Sequence, residues 1–170
     1  MVSLMTMNDH RTEQPNRGRR PAWRALLLIG SLGPLGHCPA SGTVTVALVG
    51  IPLFWVTRAW SATSYVGLIL VVSAAAVWIH HVGDQALGEK DSRTLVWDEI
   101  VGFLIAVTLI PFSWSTVIAA FLIERAIDIV KVPPARWIER TWPGGWGDVG
   151  DDVVAGLYTA AILHLWIHLM

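Results

Sequence analysis

From residue 43 to the C-terminus the chain is a succession of apolar runs close to the length of a membrane crossing, and that pattern leaves few folds open. A hydrocarbon core of about 30 Å takes roughly 20 apolar residues as a helix. Lipid offers no hydrogen bonds, so each such segment must satisfy its backbone internally. Candidate spans are residues 43–60, with Pro52 as a kink, then 64–81, 97–111, 114–132 and 152–170. A single helix from Glu99 to Val130 would be about 48 Å long, so Pro111, Ser113 and Ser115 read as a tight turn that divides it. The expected fold is an all-α integral membrane helical bundle of about five transmembrane helices. Residues 23–36, broken by Gly30, Gly33 and Pro34, read as a short N-terminal interfacial or re-entrant segment. Composition agrees, with 54% hydrophobic and 15% charged residues against about 25% charged in soluble domains. It excludes a disordered chain and argues against an ordinary soluble enzyme. Most of the ten tryptophans fall near proposed span ends, as an aromatic belt would.

The 170 residues suggest one domain. Residues 1–22 read as a flexible basic tail and 23–170 as the membrane-embedded unit. The first 25 residues carry a charge of +3 and the remainder −4, and the total of −1 argues against a nucleic-acid partner. Cys38 is alone, so no internal disulfide forms. Five alternating spans bring the N-terminus and the links 81–97 and 132–151 to one side. That side holds Lys90, Arg93, Lys131, Arg136 and Arg140, whereas the other has only Arg58. The basic side is therefore expected to be cytoplasmic. A small bundle of this kind also suits a homodimer, with no interface legible.

The informative charges interrupt apolar helix. Asp98 and Glu99 open the third span, Glu124, Arg125 and Asp128 lie inside "AAFLIERAIDIV", and Asp151 and Asp152 open the last span. Charges at such positions face the bundle interior or the headgroup boundary. The antiparallel hairpin 97–131 brings Asp98 and Glu99 to the depth of Arg125, Asp128 and Lys131, and Asp151 and Asp152 arrive there too. Clustered carboxylates need a cation or protons between them, and an all-oxygen set suits Mg²⁺, which keeps waters and contacts phosphate. Arg125 and Lys131 are suited to phosphate oxygens. The composite fits phosphoryl chemistry on a headgroup. An ion-pair network that only fixes helix packing is equally open.

Two glycine-rich stretches, "GSLGPLGHCPASGT" and "WPGGWGDVGDDVVAG", frame the cluster and lack the Lys-Ser/Thr ending of a P-loop. Gly42 with Thr43 could present a helix N-terminus to a phosphate, or form an ordinary turn. His80 and His81 end the second span. His164 and His168 share a helical face near the opposite end, where solvation at the interface is the simpler reading.

At these residues the chain resembles the phosphatidylglycerophosphatase A family of bacterial membrane lipid phosphatases. "LVWDEIVG" (95–102) is similar to its "IVWDEfvG" pattern, "ERAIDIVKVPP" (124–134) to "FRxxDxxKPxP" and "GGWGDVGDDVVAG" (144–156) to "GGxGIMxDDxxAG". "SGTVTV" (41–46) matches "PGTxGS" only in part. The resemblance implies metal or catalytic roles for Asp98, Glu99, Asp128, Asp151 and Asp152, and phosphate handling by Arg125 and Lys131. Asp91 resembles the aspartate that precedes "IVWDE". An anionic phospholipid in the cytoplasmic (inner) membrane is the implied substrate and Mg²⁺ the implied cofactor. The implied reaction is removal of the terminal phosphate of phosphatidylglycerophosphate. Glu124 stands at an aromatic position of the pattern, Val132 at a proline, Asp148 and Gly150 at apolar positions, Ser41 at a proline, and Thr45 with Val46 at Gly-Ser.

Two rival functions are weaker. The CDP-alcohol phosphotransferases also use membrane carboxylates and Mg²⁺, but their pattern, "DG-xx-AR" followed by "G-xxx-D-xxx-D", does not occur here because no Asp-Gly dipeptide is present. A transporter or structural bundle would leave the ordered acidic motifs without a task.

Overall fold

The computed structural model describes residues 21–169, and regular structure among them is entirely helical. The polar stretch 1–22 thus lies outside the described residues, save that Pro21 and Ala22 open the first helix. The helices are α1 (Pro21–Gly30), α2 (Ser41–Thr57), α3 (Ala62–Leu87), α4 (Trp97–Ala106), α5 (Trp114–Val130), α6 (Ala135–Thr141) and α7 (Gly145–Leu169). A 3₁₀ turn at Leu35–His37 joins α1 to α2.

The breaks follow local chemistry. Within α2 the ladder widens into a π-helical turn at Val46–Gly50, just before Pro52. Proline lacks the N–H that the α-helical ladder would use there. Ser61 caps α3 by accepting from Ser64 N at 3.1 Å, and Gly88 ends it with a left-handed φ of 76°. The turn expected around Pro111–Ser115 is present. Ser113 and Thr116 form a reciprocal capping box that starts α5 at Trp114.

The third expected span is shorter than its apolar sequence. Helix α4 stops at Ala106, and Leu109 takes a left-handed φ of 58°. Ten residues rise only about 15 Å, so α4 alone does not cross a bilayer. Helices α3 and α7 are long and apolar enough to cross, and α2 is a shorter apolar helix. Helix α5 carries Glu124, Arg125 and Asp128 in its last turns, which lowers its apolar length. Of the five expected spans, two among the described residues are long and apolar enough to cross a membrane. Only 22% and 28% of their apolar windows is buried, unlike the core helix of a soluble protein. Leu70, Val71 and Trp78 on α3, with Leu157, Ile162 and Leu165 on α7, face outward. Segment 23–36 is mostly α1, too short to cross and packed on α3.

Helix α4 is the axle of the fold. Asp98, Ile100–Leu104 and Ala106 are all buried, because α4 is flanked by α2, α3, α5 and α7. Phe103 and Leu104 centre an apolar core with Val46, Phe54, Val117 and Leu163. The Tyr65 hydroxyl donates to Leu104 O at 2.8 Å, so this buried phenol is satisfied. Helices α4 and α7 approach through glycine. A Cβ on Gly102 would stand 3.0 Å from Asp152 O and 2.9 Å from Glu124 Oε1, and one on Gly156 would stand 3.0 Å from Ile105 Cβ.

Alternating helix directions collect the start of α2, the end of α3, the start of α4, the end of α5 and the start of α7 at one end of the bundle. At the other end a His164 ring nitrogen pairs with Thr108 O at 3.0 Å, and Arg58 lies 4.3 Å over the Trp55 ring. Gly102→Ala and Gly156→Ala should each lose roughly 1–3 kcal/mol in unfolding measured in micelles. Gly67→Ala, with nothing within 4 Å of the added Cβ, should gain up to about 1 kcal/mol. A loss at Gly67 equal to that at Gly102 would overturn the close-approach reading.

Candidate active site

The helix ends meet around a cleft of about 530 Å³. Gly42 and Thr43 reach it from α2, Asp91 from the α3–α4 loop, and Asp98 and Glu99 from the first turn of α4. Arg125, Asp128 and Lys131 come from the end of α5, and Asp151 and Asp152 from α7. The structure thus brings to one place all the residues given metal, catalytic or phosphate-binding roles in the sequence, while His164 lies at the opposite end of the bundle. Asp98 and Glu99 sit where the helix dipole favours carboxylates, and Asp98 Oδ1 accepts from Glu99 N at 2.9 Å. Gly42 lies so close to Glu99 that any Cβ there would run into the carboxylate. Ser41 Oγ donates to Arg93 O at 2.8 Å and ties the start of α2 to the cleft rim.

The electrostatics centre on Arg125. Its Nε donates to Glu124 Oε2 and its NH2 to Glu124 Oε1, both at 2.6 Å. NH1 contacts Glu99 Oε2 and lies 3.5 Å from Asp128 Oδ2, while NH2 lies 3.5 Å from Asp152 Oδ1. Lys131 donates to Asp151 Oδ2 at 2.6 Å and pairs with Glu139 Oε1 at 3.1 Å. Both bases read from the sequence as phosphate ligands are therefore held by carboxylates. Arg93, which the sequence reading left outside the site, is exposed on the cleft and makes no ion pair among the described residues. Six carboxylates line the cleft against three bases. Desolvation beside it, reinforced by the Asp98 carboxylate, raises the Asp91 carboxyl above its ordinary value against the pull of Lys131.

Three further residues surround the cleft. Glu124 is wholly buried; its charge inside an apolar run was the signal, but its pairing with its own neighbour was not legible. Glu139 reaches Lys131 from α6. His80 is also wholly buried, with Nε2 3.3 Å from Asp98 Oδ1; a histidine at a span end gave no hint of this. Glu124→Ala would leave the Arg125 guanidinium without its bidentate partner, and should destabilise the fold by about 3–5 kcal/mol. Glu124→Gln, which keeps the shape and an acceptor, should lose less. Equal melting temperatures for wild type and Glu124→Ala would show that Arg125 is held without it.

Comparison with known proteins bears on this geometry. Residues 28–167 match the family described as phosphatidylglycerophosphatase A. The phosphatidylglycerophosphatase A of Escherichia coli strain K12 is 33% identical over 124 residues, 72% of each chain. That of Haemophilus influenzae strain Rd is 30% identical over 123 residues, 72% of this chain and 69% of the relative. A Bacteroides thetaiotaomicron protein, provisionally named phosphatidylinositol-3-phosphatase, is 29% identical over 157 residues, 85% of this chain and 94% of its own. No solved structure matches. The match covers α2 to α7 and every residue lining the acidic cleft, and the chain belongs to the phosphatidylglycerophosphatase A family of phosphatase enzymes.

Proposed function

We propose that the chain hydrolyses the terminal phosphomonoester of phosphatidylglycerophosphate, releasing phosphatidylglycerol and inorganic phosphate, in a Mg²⁺-dependent reaction. The observation that carries this reading is an acidic cleft, edged by bases, at one end of a bundle whose flanks are apolar. A lipid keeps its tails along those flanks while its headgroup phosphate enters the cleft. The bundle is read as a multi-pass protein of the bacterial inner membrane. The basic residues of its links support a cleft on the cytoplasmic side.

The donor set fits a magnesium ion. Glu99, Asp128 and Asp152 each offer a carboxylate oxygen, all within 4.8 Å of one another. Asp151 Oδ1 and Asp152 Oδ1 are buried without hydrogen-bond partners. These residues, with Asp98, would hold the ion, which supplies Lewis acidity toward phosphate and a lower pKa for bound water. Arg93 meets the incoming phosphate at the cleft rim. Lys131 and Arg125 offset the charge spread over the phosphoryl oxygens. The backbone N–H groups of Gly42 and Thr43 at the start of α2 face the same anion. A cleft carboxylate takes the proton of the attacking water. The water oxygen bonds to phosphorus, the phosphorus–oxygen bond to the glycerol breaks, and the leaving oxygen takes a proton. Attack by an aspartate carboxylate, with a phospho-aspartate then hydrolysed, is the alternative course.

A second substrate enters through the Bacteroides relative, whose name points to phosphatidylinositol 3-phosphate. The deciding assay is phosphate release by purified protein in mixed micelles, with and without Mg²⁺. Phosphatidylglycerophosphate, phosphatidylinositol 3-phosphate, phosphatidic acid and a soluble phosphomonoester are compared. Release should require Mg²⁺, be fastest with phosphatidylglycerophosphate and fall to near background in Asp128→Asn. Arg93→Ala should raise KM more than it lowers kcat. Equal rates on all four substrates would overturn the specificity, and no release from any would leave an ion-pair network that only packs helices.

A further inference from the structure

A second cluster lies behind the cleft and outside its lining. His80 and Asp84, one turn apart on α3, face Asp148 in the first turn of α7, and one donor atom from each lies within 4.8 Å of the other two. All three are buried: His80 is 0%, Asp148 1% and Asp84 9% exposed. Their polar atoms are poorly satisfied. Asp84 Oδ2 accepts from Asp91 N at 3.2 Å, but Asp84 Oδ1, both Asp148 oxygens and His80 Nδ1 lack hydrogen-bond partners, and His80 Nε2 has only the Asp98 carboxylate at 3.3 Å. Neither carboxylate is paired with a lysine or arginine among the described residues; the bases nearby are committed to Glu124, Asp151 and Glu139. Two buried carboxylates side by side are costly unless something positive lies between them.

Donor chemistry separates the two clusters. Glu99, Asp128 and Asp152 offer oxygen alone, whereas the second cluster adds an imidazole to two carboxylates. That mixture favours first-row transition ions over Mg²⁺. His80 turns Nε2 toward Asp98, which leaves Nδ1 as the nitrogen for a cation. A metal-bound imidazole commonly gives its other N–H to a carboxylate, and that contact orients the ring.

We propose that His80, Asp84 and Asp148 form a second divalent-cation site, selective for a transition ion such as Mn²⁺, and linked through His80 to Asp98 at the cleft. The site stands on its own donors and does not depend on which phospholipid the cleft accepts.

The test uses the full chain purified in micelles, stripped by chelator and reloaded with Mn²⁺ alone. Bound Mn²⁺ is counted by elemental analysis, and pulsed EPR reads coupling to ¹⁴N. Wild type should show imidazole nitrogen coupling. Asp84→Asn and Asp148→Asn should each lose that coupling together with one bound equivalent. Asp128→Asn, altered in the all-oxygen cluster, should keep it. Wild-type protein that binds Mn²⁺ without nitrogen coupling overturns the proposal whether or not the variants fold. Coupling that persists in both Asp84→Asn and Asp148→Asn shows that neither carboxylate holds the ion and overturns it equally. Failure to bind Mn²⁺ at all would mean that the two carboxylates share a proton instead.

Discussion

The Arg125 guanidinium is the contact on which the rest of the structure depends. It stands where α4, α5 and α7 meet and touches or faces a carboxylate from each: Glu99, Glu124 with Asp128, and Asp152. Without it, four carboxylates could not share a buried volume at tolerable cost. The planar fork is essential, because a lysine ammonium cannot bond one carboxylate through two parallel N–H groups and still point at others. Glu124 supplies that bidentate partner from the adjacent position of the same helix. Asp128 and Asp152 stand farther off, each at 3.5 Å, and keep capacity on the cleft side.

The apolar packing around α4 makes this arrangement rigid. Gly102 sits one turn beyond Asp98 and lets α7 approach at the level of Asp152, so the same residue that closes the helix pair sets the separation of the site's carboxylates. Below that level the interior is Phe103, Leu104, Val117 and Leu163, with no charge to compete for the ions above. The apolar outward faces of α3 and α7 complete the division, with an ionic end inside an apolar wall.

Much of this was legible in the residues. Charges that interrupt apolar runs mark places where a helix cannot face lipid, so Asp98, Glu99, Arg125, Asp128, Asp151 and Asp152 could be placed at one depth before any coordinates. Their pairing could not, because spacing does not say which carboxylate an arginine chooses. The end of α4 was misjudged for a related reason. Val107–Phe112 is as apolar as the helix before it, and hydropathy does not distinguish a helical turn from an irregular one. His80 was passed over because a histidine at a span end is usually solvated, and only the packing of α4 and α7 against α3 encloses it. Asp148 falls in the expected link 132–151, whereas the last helix begins at Gly145 and carries it in its first turn.

Asp98 joins the two acidic clusters. One side of it opens on the cleft, and the other meets His80. A charge change at His80, whether from a proton or a cation on the ring, therefore reaches Asp98 directly. An aspartate at position 148 would be a liability if it only added a third negative charge beside Asp84 and Asp98. It is tolerable when the cluster gains positive charge. Asp148 is thus coupled, through one imidazole, to a carboxylate of the cleft.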